Sequence, residues 1–334
     1  MEKFSVHYHK KDMKRVWLAG YHEKDVILAD GTKLHYAEGP ENEKPPLLLI
    51  HGQTGSWESY APVLPALAIA YHVFAIDCHG HGKSEKNIKK YTAKKMGADI
   101  LWFIEHIIGE QVILSGHSSG GLLAGLIAAE SPKQIKGLLL EDPPFFSTEK
   151  GERWENSFAY IDTYEPMHRF LHQLAGEKKE TDWAIFYLKH ARWMEFVPER
   201  PRKKTLDYAV NFRRRHPDKP LSFFFLPPSV NEIFATLDQY DLYFGESFYD
   251  SSWFTGFSQQ DVLKRIQCPT VLIHTNWSYD ENGILMGAMS GQDAMIVNQL
   301  IANCSIIRIN SGHNSHFEKP EEFLSAMEKL KEKI

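Results

Sequence analysis

Three residues, each in a loop after an apolar run, have the types needed for acyl transfer. Ser118 lies within Gly116-His117-Ser118-Ser119-Gly120. A serine hydroxyl is a poor nucleophile until a base removes its proton, and histidine is the side chain with a suitable pKa. His313, in Ser311-Gly312-His313-Asn314-Ser315-His316, is the first candidate for that base, with His316 as the fallback. The base needs an acid to hold its tautomer and stabilise the imidazolium. Asp142, in Glu141-Asp142-Pro143-Pro144, is favoured for that role; Asp280 is the alternative and Glu141 a third. Acyl transfer also needs donors aimed at the developing oxyanion, worth about 2.7–4 kcal/mol each. The backbone N–H groups of Ser119 and of Gln53, just past His51-Gly52, are the candidates.

The elements that must position these residues follow from the apolar pattern. Val112-Ile113-Leu114 reads as a buried strand and Leu122 to Ala129 as an apolar helix, so Ser118 sits on a strand–turn–helix, the nucleophile elbow. Leu47–Ile50, Val73–Ile76, Ile135–Leu140, Val271–His274 and Ser305–Ile309 are further strands, and Val26–Ala29 with Leu34–Tyr36 forms a hairpin around Asp30-Gly31. Helices are expected from Trp57 to Ala68, from an N-cap at Thr92 through Ile107, near Asp293–Ile301 and from Pro320 to Leu330. Residues 1–23 read as a surface arm. Strands alternating with helices imply a doubly wound, mostly parallel sheet, whose ligand site lies beyond the carboxyl ends of the strands. His51, Asp77, Ser118 and Asp142 all fall there.

The alternation stops between residues 145 and 260. Trp154, Phe158 and Ile161 recur at helical spacing, and Trp183 to Met194 is another aromatic-rich helix. Phe223 to Pro228 separates the two halves of this region. It reads as a mainly helical lid over an apolar pocket, inserted between the two parts of the core, residues 1–144 and 261–334. The basic run from Arg200 to Arg215 reads as a solvated face of that lid.

The 334 residues, 43% hydrophobic, suffice for a full core. A net charge of −5 gives no reason to expect a nucleic-acid partner. No signal-peptide core and no apolar run of membrane-spanning length is present, so a soluble, cytoplasmic protein without membrane insertion is expected. Cys78, Cys268 and Cys304 are widely separated, which suggests neither disulfides nor a zinc site. His51, His79, His81, His117 and His274, near strand ends, lack the i, i+4 spacing of a ligand motif. Turn or supporting roles suit them, and no metal or cofactor is expected.

The His51-Gly52 loop, Asp77-x-His79-Gly80-His81-Gly82-x-Ser84, the Gly116–Gly120 elbow and Gly312-His313 together resemble the α/β-hydrolase family. The resemblance implies an eight-stranded sheet, a Ser–acid–His triad in that chain order and no cofactor. Most members place the acid after the strand equivalent to Val271–His274, where this chain carries the uncharged Asn276. Haloalkane dehalogenases and zearalenone-type lactonases resemble it in offering an acid one strand earlier. Dehalogenases use an aspartate nucleophile, so Ser118 points instead to cleavage of an ester, lactone or related acyl bond in a largely apolar small molecule. Carbon–carbon bond hydrolysis or a lyase reaction on the same triad, and a non-catalytic ligand receptor, are the alternatives.

Overall fold

The computed structural model describes residues 9–41, 43–173, 179–226 and 228–334. Its centre is one eight-stranded sheet. In chain order the strands are β1 (His22–Ile27), β2 (Lys33–Glu38), β3 (Pro46–Ile50), β4 (His72–Ile76), β5 (Val112–His117), β6 (Ile135–Glu141), β7 (Thr270–His274), β8 (Ser278–Tyr279), β9 (Leu285–Met286) and β10 (Cys304–Arg308). The sheet order is β1-β2-β4-β3-β5-β6-β7-β10, and β8 pairs with β9 as a separate small hairpin. β1 and β2 are antiparallel to their neighbours; every pairing from β4 to β10 is parallel.

Strands covered on both faces read as unbroken apolar runs, and side chains alternate between the faces. Leu48 and Ile50 of β3 join Leu114, Leu138, Leu140 and Leu272 in one core. Leu47 and Leu49 join Ile113, Leu139, Val271 and Ile273 in the other. All of these except Ile113, at 3%, are fully buried.

The helices are α1 (His9–Leu18), α2 (Leu64–Ala70), α3 (Ala93–Phe103), α4 (Ser119–Glu130), α5 (Glu152–Glu155), α6 (Glu165–Leu171), α7 (Trp183–His190), α8 (Glu199–Arg215), α9 (Pro228–Thr236), α10 (Leu242–Tyr249), α11 (Gln259–Arg265), α12 (Gly291–Leu300), α13 (Ser315–Glu318) and α14 (Pro320–Lys331). Thr92 caps α3 by accepting from the Lys95 N–H. α5 to α11 lie between β6 and β7 in the chain.

Several elements differ from the sequence reading. Of the supposed N-terminal arm, residues 1–8 lie outside the described residues, while α1 buries Met13 and Val16 in the second core. The helix expected from Trp57 to Ala68 is a 3-10 turn at Trp57–Tyr60 followed by α2. Pro62 and Pro65 explain the break, since Pro65 has no N–H for the Ala61 carbonyl and is tolerated only in a helix's first turn. α7 ends at His190 and passes into a 3-10 turn, Arg192–Phe196. Pro227, inside the expected Phe223–Pro228 separator, lies outside the described residues. On α8, Arg200, Lys203, Lys204, Arg214 and Arg215 are exposed, whereas Arg213 pairs with Asp182 and Asp238.

α4 is buried from Ser119 to Ala129, flanked by α3 and α11 and lying on β5 and β6. Its first turn is pressed against the end of β3. A Cβ on Gly120 would collide with the carbonyl oxygens of Ile50 and His51, and one on Gly116 would collide with the Gly120 carbonyl. Gly120→Ala is therefore expected to destabilise the fold by about 2–3 kcal/mol, the cost of overpacking a rigid backbone contact. It would be read as a lower urea midpoint at unchanged m-value.

Candidate active site

Ser118 joins β5 to α4 with φ 53° and ψ −123°, a conformation rarely held by a residue with a side chain. Three backbone hydrogen bonds hold the turn: Ser118 N–H donates to Glu141 O, and Gly121 and Leu122 N–H donate to Ser118 O. The turn lifts Ser118, which stays partly exposed, above the sheet edge, while its neighbours His117 and Ser119 are buried. The N-terminus of α4 begins at the next residue, and its N–H groups and dipole favour developing negative charge there. The His51–Gly55 loop crosses the same spot. A Cβ on Gly52 would lie 2.9 Å from Ser118 Cβ and 2.6 Å from His117 Nδ1, so Gly52 brings Gln53 beside the serine.

Asp142 follows β6 directly and is 1% exposed, with a positive φ of 45°. Its Oδ2 lies 2.8 Å from His313 Nδ1 and accepts from the Thr275 hydroxyl at 2.6 Å; its Oδ1 accepts from Thr275 N–H at 3.2 Å. The structure thus brings Asp142 and His313 together. Asp280 is elsewhere, in the turn between β8 and β9. It pairs with Arg192 at 2.9 Å and accepts from the backbone of Asn282 and Ile284. Those backbone bonds, led by Ile284 and joined by Arg192, lower its pKa. Asn276 donates to Asn310 Oδ1 at 2.9 Å.

A second acid–histidine pair stands beside the first. Glu141, fully buried, accepts from His316 Nδ1 at 2.8 Å, from His316 N–H at 2.8 Å and from the Ser315 hydroxyl at 2.5 Å. Burial alone would raise the Glu141 pKa, but attraction to His316 and these hydrogen bonds outweigh it and hold the carboxyl at about 2. The His316 ring is 1% exposed and packs on Tyr60 at 4.4 Å, whereas the His313 side chain is 42% exposed. His117 lies between the two rings, 4.6 Å from His313 and 5.0 Å from His316, and its Nε2 donates to the His313 carbonyl at 3.1 Å. Burial, reinforced by His313, keeps its pKa well below the usual histidine value.

The other strand-end histidines sit in structural bonds. His51 Nδ1 donates to Gly52 O at 2.7 Å and its Nε2 accepts from Cys78 N–H at 3.0 Å, fixing its tautomer. His79 contacts Asp99 at 3.1 Å, and His274 Nε2 donates to Met289 O at 3.0 Å. His81 packs its ring edge-on to Phe244 at 4.5 Å.

Some contacts had no counterpart in the sequence reading. The Gln53 side chain donates to the Tyr240 hydroxyl at 2.6 Å and accepts from the Tyr164 hydroxyl. Both tyrosines come from the segment between β6 and β7, which offered no motif to find them. Thr275 carried no signal either. Glu141 and His316 were visible as neighbours of the favoured acid and base. Between the Gly52–Gly55 loop, His117, His316 and the α9 residues Ile233 and Thr236 is a cavity of about 40 Å³. That is space for about three waters.

Exposure separates the two histidines energetically. Breaking a buried ionic pair from one side costs about 3–5 kcal/mol, and His316→Ala is expected to lose that much stability. His313→Ala, with a partly exposed ring, is expected to lose far less; urea denaturation of both variants checks this. The Glu141 pKa lies below its unfolded value of 4.5. Its contribution is therefore complete above about pH 4.5 and lost as pH falls toward 2. The stability gap between wild type and Glu141→Gln is expected to narrow over that window.

Comparison with known proteins agrees with this architecture. A family model described as alpha/beta hydrolase fold matches residues 45–176. Epoxide hydrolase B of Mycobacterium tuberculosis is 35% identical over 125 residues, covering 36% of this chain and 35% of the relative. The soluble epoxide hydrolase of a Corynebacterium strain is 30% identical over 115 residues, 34% of this chain and 40% of the relative. The chain thus spans about two fifths or less of the length of these curated relatives. Among solved structures, a hydrolase from Pseudomonas aeruginosa superposes with a TM-score of 0.65 at 21% identity, covering 93% of this chain and 98% of that one. The enol-lactonase from Burkholderia xenovorans superposes with a TM-score of 0.63 at 16% identity, over 92% and 100%. With its eight-stranded sheet and its Ser118 turn the chain has an α/β-hydrolase fold, and its residues 45–176 match the model of that family.

Proposed function

We propose that this chain is a serine hydrolase that cleaves a carboxylic ester or lactone of a small molecule through an acyl-enzyme. The observation that carries the reading is Ser118 in a positive-φ turn at the α4 N-terminus, with Asp142 Oδ2 2.8 Å from Nδ1 of His313 in a neighbouring loop. In this mechanism His313 takes the Ser118 proton through Nε2 as the oxygen attacks the acyl carbon. Asp142 keeps the Nδ1 proton in place and stabilises the imidazolium. The N–H groups of Ser119 and Gln53 hold the oxyanion, after which His313 protonates the leaving oxygen and then activates water against the ester. Thr275 supports the step by fixing Asp142 through both carboxylate oxygens.

The segment from residue 145 to 260 acts in this reading as a lid. Tyr164 and Tyr240 grip the Gln53 side chain, so the lid also sets the position of the loop that supplies one oxyanion donor.

Ser118 as the nucleophile favours acyl chemistry over the epoxide opening that the names of some relatives describe. Opening an epoxide with a serine oxygen leaves an ether, which water does not cleave, so the enzyme would stop after one event. Acylation of the same oxygen leaves an ester, which the His313-activated water resolves.

Steady-state hydrolysis of a short p-nitrophenyl ester tests the proposal. Asp142→Asn is expected to lower turnover by about 10⁴-fold, as an acid-to-amide change does in a comparable triad. Asp280→Asn, held by Arg192, is expected to stay near wild type. A crippled Asp280→Asn beside an active Asp142→Asn would overturn the assignment of the acid.

A further inference from the structure

The geometry points to a divalent transition-metal site, of the zinc class, formed by His168, His172 and Glu246 on the outer side of α6 and α10, apart from the Ser118 site. His168 lies in α6 and His172 caps its C-terminus, one turn further on. That i, i+4 spacing places both rings on one helix face, with centroids 4.5 Å apart. Glu246 reaches them from α10, which packs closely on α6: a Cβ on Gly245 would run into the Met167 sulfur.

The three side chains converge on one point. Glu246 Oε1 lies 2.8 Å from His168 Nδ1 and 3.0 Å from His172 Nε2, and Oε2 lies 3.1 Å from His168 Nδ1. The ligand atoms of all three residues lie within 4.8 Å of one another. The His168 ring is further fixed by stacking on Tyr249, 4.0 Å away and 12° from parallel. Without a metal, both imidazoles turn an N–H to the one Glu246 carboxylate, whose Oε1 lies within reach of both. A cation bound there takes the lone pairs of His168 Nδ1 and His172 Nε2, each ring shifting its single N–H to its other nitrogen, together with the Glu246 carboxylate, and ligands about 2.0–2.2 Å from it need only small side-chain rotations. His172 is 57% exposed, which leaves a solvent side for water as a further ligand.

Two imidazoles and one carboxylate select borderline cations such as Zn²⁺ or Co²⁺ over Mg²⁺ or Ca²⁺, which take oxygen ligands. A cation here braces α6 against α10. Tyr164 immediately precedes α6 and Tyr240 lies two residues before α10, so the same helix pair carries the grip on Gln53.

The test is Zn²⁺ titration of the full chain after chelator treatment, by calorimetry and by thermal unfolding. Wild type is expected to take up one equivalent and to gain about 4 °C in Tm at a hundredfold excess over Kd. Mg²⁺ is expected to do neither, and Co²⁺ to give the visible absorption of a low-coordinate nitrogen–oxygen site. His172→Gln, at an exposed position, and Glu246→Gln are expected to lose at least about tenfold in affinity together with the Tm gain. No stoichiometric Zn²⁺ binding by wild type would overturn the proposal and leave a hydrogen-bonded cluster. Binding that persists undiminished in folded His172→Gln would also overturn it, placing the metal on other residues.

Discussion

The packing of the α4 N-terminus against the end of β3 is the constraint on which the rest of the site depends. Only because Gly116 and Gly120 carry no Cβ can the helix begin immediately after β5 and leave Ser118 at the crest of a strained turn. The same absence at Gly52 lets the His51–Gly55 loop pass over the serine. The end of β3, the loop after it and the β5–α4 turn thus pack directly on one another around Ser118. Their rigidity comes from burial on every side: α4 is apolar all round, and the strands beneath it are covered on both faces. A site on rigid elements can hold donors in position before the substrate arrives, which is where electrostatic catalysis gains most.

Beyond β6 the chain places two carboxylates in succession, and they face different partners. Glu141, fully buried, binds His316, whose ring packs on Tyr60 and Phe323; Asp142 turns toward Thr275 and His313. One pair is sealed, and the other opens to solvent through a half-exposed imidazole. The sealed pair anchors the start of α13 through the Ser315 and His316 donors, so it fixes the loop on which His313 stands. Structure and proposed chemistry are divided between the last residue of β6 and the positive-φ residue that follows it.

Much of this is legible in the sequence. The parallel strands are continuous apolar runs because both faces are buried, and that signal is strong. The elbow and the Asp30-Gly31 hairpin have local causes, a steric requirement and a turn type, which a short peptide states fully. Other features depend on distant partners and left no such trace. The β8–β9 hairpin is only two residues per strand, too short for a period. Between Trp57 and Ala68 the apolar spacing is helical throughout, while Pro62 and Pro65 break the helix in two. The clamp of Tyr164 and Tyr240 on Gln53 joins positions separated by 111 and 187 residues, and no local pattern encodes such a contact. The i, i+4 spacing of His168 and His172 is visible in the sequence, but Glu246 lies 74 residues beyond His172 and no local pattern links it to them.

The central claim is that Ser118 becomes covalently acylated. Its most direct test is mass-spectrometric mapping of the chain after brief reaction with a fluorophosphonate or a slowly hydrolysed activated ester. The account predicts one adduct per chain, on the peptide containing Ser118, and none in Ser118→Ala. An adduct on a different residue in wild type, or undiminished labelling of Ser118→Ala, would contradict it.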